Sequence, residues 1–153
     1  MARVLVQEAA FDTGAETTAL TAVRTDVGGV ASFLGVCRGD DGLEAMVLEH
    51  YPGMTERAIA RIAAEAEARW PLTGCTVIHR VGRILPGEPI VLVLTASAHR
   101  RAALEACAFL IDWLKTGAPF WKREEFAEGA HRWVEARAED DAAAARWAAA
   151  GGT

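Results

Sequence analysis

Short runs of apolar or alternating residues predict five β-strands along the chain. They are expected at about Arg3 to Glu8, Gly29 to Arg38, Leu43 to Tyr51, Cys75 to Val81, and Ile90 to Ser97. Helical signals occupy the intervals between most of these runs. Strands and helices therefore interleave along the sequence.

Three segments have the composition or periodicity of helices. Thr55 to Trp70 places apolar residues on one face, which is typical of a helix packed on a sheet. A weaker signal runs from Glu16 to about Thr25, where the following glycines are expected to end it. The alanine-rich segment Asp140 to Ala149 is the third, and its Trp147 indicates docking against the rest of the protein.

A further helix follows the strand "IVLVLTAS" and is expected to be about 17 residues long. Ser97 is a candidate N-cap, and Gly117 a candidate left-handed C-terminal residue. Apolar residues cover most of its surface, so we expect protein on nearly all sides: Leu104, Cys107, Phe109, Leu110, Ile111 and Leu114. Farther along, the Glu-Gly pair in "FAEGAHRWVEAR" predicts a hairpin.

Length and charge limit the possible functions. A chain of 153 residues suits one domain, which we place at residues 1 to 153. The net charge of -5 argues against a nucleic-acid-binding protein, which needs an excess of basic residues. No apolar run approaches the roughly 20 residues of a membrane span, and the N-terminal segment turns acidic too early for a signal peptide. A cytoplasmic location is therefore expected, with no membrane partner.

The three cysteines are expected to be structural. Cys37, Cys75 and Cys107 are far apart, and no cysteine or histidine has the spacing of zinc ligands. We therefore expect neither a metal nor a cofactor. An odd number of cysteines also argues against a disulfide framework.

The segment "LKTGAPFWKRE" is the strongest candidate for a functional site. Lys115 and Lys122 flank a proline-stiffened turn and an aromatic pair, which would fix the direction of an ammonium group. Each feature also has a purely structural explanation. A lysine in the last turn, such as Lys115, stabilises a helix by about 0.3 to 1 kcal/mol through its interaction with the helix dipole. Phe120 and Trp121 are equally compatible with packing into the core to close a loop.

A second group of cations is expected at the opposite end of the same helix. His99 and Arg100 lie in its first turn, where cations oppose the helix dipole but, with the free N–H groups, can bind an anion. Arg100 is also compatible with a solvated surface position. Arg38 follows a strand at an Asp-Gly loop, where ligand-binding residues are common, although one such arginine is weak evidence.

Several segments together resemble the large, catalytic subunit of molybdopterin synthase. In chain order they are "FLGVCRG", "LEHYPGM", "RWPL", "VIHRVGRILPGE", "SAHR", "DWLKTGAPFWKRE" and "RWVEAR". The resemblance extends from about Arg3 to Trp147. The combination of "SAHR" with the lysine-flanked aromatic segment is its most specific part, whereas "RWPL" alone means little.

The resemblance implies an α+β fold of the α/β-hammerhead type, with a mixed, largely antiparallel sheet and packed helices. It also implies a sulfur transferase of molybdenum cofactor biosynthesis that converts cyclic pyranopterin monophosphate, called precursor Z, to molybdopterin. The sulfur would come from the C-terminal thiocarboxylate of a small ubiquitin-like subunit. Two large subunits would form a homodimer with one small subunit at each end, a heterotetramer.

The resemblance also assigns roles to individual residues. Lys115 and Lys122 match the essential lysines of the family. The other matches fall in the substrate pocket or at the subunit contact: Arg38, His99, Arg100, Phe33, Glu124 and Arg137. Neighbouring cations and apolar side chains would lower the pKa of Lys115, which favours it for proton transfer and leaves Lys122 as an anchor. The sequence does not decide this division.

Two other classes of function remain open from the residues alone. A non-enzymatic docking module for a ubiquitin-like protein would need an apolar groove but not the paired cations. A different transferase, acting on another anionic substrate, would use the same cations with another donor. Cys37 is not interpreted as a sulfur relay, because it lies within a predicted strand.

Overall fold

A computed structural model describes residues 1–40, 42–134 and 138–150 of the chain. The strands are β1 (Arg3–Gln7), β2 (Gly29–Val36), β3 (Ala45–His50), β4 (Leu72–Arg80), β5 (Gly82–Ile84), β6 (Pro89–Ser97), β7 (Phe120–Glu125) and β8 (His131–Val134). The helices are α1 (Thr13–Thr21), α2 (Met54–Arg69), α3 (Arg100–Thr116) and α4 (Ala138–Ala150). A 3-10 turn at Ala127–Gly129 connects the last two strands.

The first sheet has the strand order β1-β4-β6-β2. β1 is parallel to β4, whereas the other pairs are antiparallel. One face packs against α2 and α3, and the main core lies between these layers. Small helical residues allow α3 to approach closely: the buried Thr95 hydroxyl donates a hydrogen bond to the Ala103 carbonyl at 2.6 Å.

The second sheet has the order β5-β3-β7-β8 and is antiparallel throughout. Met46, Leu48 and Ile84 on its buried face form a smaller core together with Cys37, which follows β2. Phe120 and Ile90 are the half-buried residues that pack against both this core and the main one. The junction between the two sheets therefore depends on few side chains. Mixed helices and open sheets confirm the expected α+β class.

All five predicted strands are present, with small changes in their bounds. β4 begins three residues earlier than expected, at Leu72. The α2, α3 and α4 helices agree with the sequence pattern, as does the Glu-Gly turn, which connects β7 to β8. β5 and β7 were not predicted, because β5 has only three residues and the aromatic segment of β7 resembles a loop.

The predicted ends of two helices are wrong. α1 begins at Thr13 because the Asp12 side chain accepts a hydrogen bond from the Ala15 N–H, and it ends well before the glycines. His99, not Ser97, is the N-cap of α3, since the Ser97 hydroxyl instead donates to the Pro71 carbonyl. Gly117 is the C-cap, but its φ of -99° is right-handed.

Gly117 is required by space and not by a left-handed conformation. A Cβ added there would lie 2.5 Å from the Trp113 Nε1 atom. Leu104 also departs from expectation, because it is exposed on the outer side of α3. No helix within the described part of the chain combines the length and apolar character needed to cross a bilayer.

Trp147 attaches the C-terminal helix to the helical layer. Its indole N–H donates to the Asp112 carboxylate at 2.5 Å. Its ring makes edge contacts with Trp70 and Phe109, each with a centroid distance of 5.7 Å. The docking expected from the sequence is therefore confirmed.

We expect Trp147→Ala to lower the free energy of unfolding by about 3 kcal/mol, because it removes both the aromatic packing and the hydrogen bond. Urea denaturation followed by circular dichroism measures this change. Trp133→Ala is the matched control, since Trp133 is 53% exposed and its loss should cost less than about 1 kcal/mol. Equal losses in the two variants would show that Trp147 does not hold α4 in place.

Candidate active site

Lys115 lies in the last turn of α3, as the sequence predicts. Its side chain is exposed. The helix stops immediately afterwards, where the Gly117 N–H donates to the Trp113 carbonyl at 2.6 Å. The chain then turns through Ala118 and Pro119 into β7. Lys115 therefore projects from a rigid helix end at the entrance to the second sheet.

Lys122 is the third residue of β7 and is half-buried. It lies opposite Leu48 of β3 and Val134 of β8, so strands flank it on both sides. Burial lowers the pKa of its ammonium below the usual range, and repulsion from Lys115 lowers it further. The two lysines lie on either side of the short turn between α3 and β7, near enough for the charge of Lys115 to act on Lys122.

Acidic groups partly oppose this shift. Glu124 shares a face of β7 with Lys122, and it and Asp140 of α4 raise the pKa of Lys122, though less than burial lowers it. Glu124 is itself engaged by Arg132 of β8, whose Nη2 and Nε atoms donate to one carboxylate oxygen at 3.0 and 3.1 Å. Glu124 therefore lies beside the lysine pair, but its charge is shared with an arginine.

Two histidines that the sequence did not single out complete this region. His79 of β4 is buried, and its ring stacks on Phe120 with a centroid distance of 4.0 Å. His50 of β3 lies against Phe120 at 6.3 Å. Burial lowers the pKa of His79 to about 4, and Lys115 and His50 add smaller effects in the same direction. A histidine within the apolar strand "TVIHRV" is the signal that could have identified it.

Arg38, Cys37 and Phe33 lie on or just after β2, the edge strand of the first sheet. Burial raises the pKa of the Cys37 thiol, although Lys122 acts in the opposite direction. Arg38 follows directly, is exposed, and pairs with Asp40 at 2.5 Å. The Phe33 ring covers Gly35, where an added Cβ would lie 3.3 Å from its Cε1 atom. The C-terminal end of β2 thus borders the lysine pair.

His99 and Arg100 are at the other end of α3, as its N-cap and first residue, and both are exposed. At 1.5 Å per residue, Arg100 and Lys115 are separated by roughly 22 Å along the helix axis. One chain therefore forms two separate cationic groups. Arg137 lies outside the described residues.

The lysine group can bind an anion and also transfer a proton. The two lysines lie at the junction of α3 and β7, and Lys122 is partly buried there, where charge acts more strongly than in water. Burial lowers the pKa of Lys122, so its neutral amine forms at a lower pH than that of an ordinary lysine. Within residues 1–40, 42–134 and 138–150, no cluster of three or more histidine, cysteine or acidic side chains could hold a metal ion.

The low pKa of His79 makes stability depend on pH. In the folded protein His79 binds a proton only near pH 4, whereas in the unfolded chain it does so at about pH 6.5. The unfolded state therefore takes up more protons as the pH falls through this window. We expect the free energy of unfolding to decrease by up to about 3 kcal/mol between pH 6.5 and 4.

Chemical denaturation at a series of pH values, compared between the wild type and His79→Phe, isolates this contribution. Carboxylates titrate in both proteins, whereas only the wild type loses stability through His79. Parallel stability curves for the two proteins would show that this histidine is not buried in its neutral form.

Comparisons with known proteins agree with this arrangement. The family described as "MoaE protein" matches residues 6–117. The molybdopterin synthase catalytic subunit of Pseudomonas aeruginosa is 57% identical over 147 residues, which cover 94% of this chain and 97% of that protein.

Solved structures share the fold. The molybdopterin biosynthesis MoaE protein of Burkholderia ambifaria superposes with a TM-score of 0.82 at 50% identity, covering 97% of this chain and 99% of that one. A complex of subunits 1 and 2 of molybdopterin-converting factor from Helicobacter pylori contains a chain with a TM-score of 0.74. Its 20% identity, over 88% of this chain and 91% of that chain, shows the fold alone. The family match and the extent of identity show that this chain belongs to the MoaE family of molybdopterin synthase catalytic subunits.

Proposed function

We propose that this chain transfers sulfur to precursor Z in the cytoplasm and thereby forms molybdopterin. The donor is the C-terminal thiocarboxylate of a small ubiquitin-like subunit. The observation that carries this proposal is the placement of Lys115 at the end of α3 and Lys122 on β7, on either side of one short turn, with Lys122 half-buried. Membership of the family supports the reaction, and the two-subunit complex from Helicobacter pylori supports the partner.

The chemistry explains why two cations are needed. Precursor Z carries a cyclic phosphate, and the incoming thiocarboxylate is also an anion. Bringing two anions to one reacting carbon requires positive charge that is already in position. Lys115 and Lys122 provide this charge from a helix end and a strand, two rigid elements. Phe33 on β2 and Arg38 just after it lie toward the end of the strand that borders this region, while Glu124, two residues from Lys122, offsets part of its positive charge.

The structure favours Lys122 as the group that transfers the proton, and Lys115 as the anion anchor. This reverses the division expected from the sequence. Lys122 is half-buried with a lowered pKa, whereas Lys115 is exposed at the helix end. A general acid or base is most effective when its pKa lies near the working pH. An exposed ammonium group is suited to holding a phosphate.

We therefore expect Lys122→Arg to lower kcat by about 100-fold or more, because a guanidinium keeps its charge but cannot release a proton. Lys115→Arg is the matched control and should stay within roughly tenfold of the wild type, since anchoring needs only charge. The measurement is molybdopterin formed from precursor Z and the thiocarboxylated small subunit.

Circular dichroism establishes that both variants are folded. Near-normal turnover by Lys122→Arg would contradict its role in proton transfer. The same assay separates the rival classes, because a docking module would bind the small subunit without forming product. Another transferase would not consume precursor Z.

We further propose that the active protein is a homodimer in which both cationic groups serve one pocket. Within one chain, α3 holds His99 and Arg100 far from Lys115 and Lys122. A second copy can place its own His99 and Arg100 beside the lysines of the first. The substrate phosphate would then be bound across two chains, each of which supplies half of the cations.

A complementation experiment tests this arrangement. Lys122→Ala and Arg100→Ala homodimers should each be inactive, but a mixed dimer has one pocket in which both residues are intact. After subunit exchange we expect recovery of about one quarter of wild-type activity. A mixture of Lys115→Ala with Lys122→Ala is the control and should recover nothing, because both lysines come from the same chain. Light scattering measures the dimer, and lack of recovery in the first mixture would contradict a shared pocket.

A further inference from the structure

His79 is a buried histidine for which the proposed chemistry has no direct use. It is 7% exposed and lies on the face of β4 that meets the helical layer. Its Nδ1 atom is 2.8 Å from the Arg80 carbonyl oxygen. A carbonyl can only accept, so Nδ1 carries the proton and the ring orientation is fixed.

The face of this ring supports Phe120. The two ring planes are inclined by only 22° at a centroid distance of 4.0 Å. His50 lies against Phe120 from β3, at 6.3 Å and 40°. Phe120 is therefore held between an imidazole of the first sheet and one of the second.

Phe120 is also the first residue of the strand that carries Lys122. Only the turn of Gly117, Ala118 and Pro119 separates it from the helix of Lys115. The turn is tight, because the Phe120 N–H donates to the Ala118 carbonyl at 2.8 Å. Any shift of the Phe120 ring would move the start of β7 and hence Lys122 relative to Lys115.

We propose that His79 is a positioning residue for the lysine pair. Its tethered, neutral imidazole is the surface on which Phe120 stacks, and this contact fixes the separation of Lys115 and Lys122. The inference rests on the proposed function, in which these lysines act on the substrate. It adds a residue of a different strand that acts through Phe120 without touching the reacting atoms.

A neutral ring is well suited to this position. An aliphatic side chain would offer no flat surface for stacking. A protonated imidazole would add a third positive charge beside two lysines. The titratable groups that act on Lys122 are Lys115 of α3, Glu124 of β7, Asp140 of α4 and the Cys37 thiol after β2.

The test compares three variants. His79→Ala removes the ring, and His79→Phe keeps a flat ring. His131→Ala is the control, because His131 is an exposed histidine on β8. NMR titration of ¹³C-labelled lysines follows Lys122 without any substrate. In His79→Ala we expect its pKa to rise by about one pH unit, because a looser β7 hydrates Lys122 and moves it from Lys115. We expect kcat to fall about tenfold or more, with KM for precursor Z changed far less.

His79→Phe should recover kcat to within about threefold of the wild type, and His131→Ala should match the wild type in both measurements. Phe120→Leu removes the same ring stacking by changing the other ring. This variant replaces His79→Ala in both measurements if His79→Ala does not fold. An unchanged lysine titration in folded His79→Ala would overturn the proposal. So would a His79→Phe protein as inactive as His79→Ala. Because the titration needs no product, it distinguishes failure of this proposal from failure of the proposed reaction.

Discussion

The position of the candidate site depends on one packing contact, the insertion of Phe120 between the two sheets. Phe120 touches the main core and the smaller core of the second sheet, and it stacks on a buried histidine of β4. The helix that ends at Lys115 and the strand that carries Lys122 belong to different layers. Their relative position is therefore defined where these layers meet, and a rigid junction allows two like charges to remain close.

Much of the fold could be predicted from the sequence, because the long elements have strong periodicity. The buried strands β4 and β6 and the amphipathic α2 follow from local patterns of residues. β7 could not be predicted, since its aromatic and charged residues become a strand only by pairing with β3, about 70 to 80 residues earlier. The predicted N-cap of α3 was also wrong because of a tertiary contact: the Ser97 hydroxyl donates to the carbonyl of Pro71, which is distant in sequence.

The site was less predictable than the fold. Lys115 and Lys122 stood out in the sequence, but each had an equally simple structural explanation, and the family resemblance decided between them. The burial of Lys122 depends on flanking strands that are distant along the chain. The role of His79 could not be predicted, because a histidine within an apolar strand stands out in the sequence but does not indicate which ring it contacts. The distance between Arg100 and Lys115 could be predicted from the length of the helix, whereas no pattern of residues indicated a second chain that could bring the two cationic groups together.

The buried thiol of Cys37 has a consequence for the fidelity of sulfur chemistry. It is 3% exposed, and burial raises its pKa, so it stays protonated although Lys122 is nearby. In the proposed reaction, a thiolate at this point would attack the acyl carbon of the donor, break its C–S bond and release the sulfur as hydrosulfide, which leaves a dead-end thioester. A protonated, inaccessible sulfur cannot compete in this way. A buried, protonated Cys37 is therefore compatible with the proposed sulfur transfer, because its thiol does not compete with the sulfur of the donor.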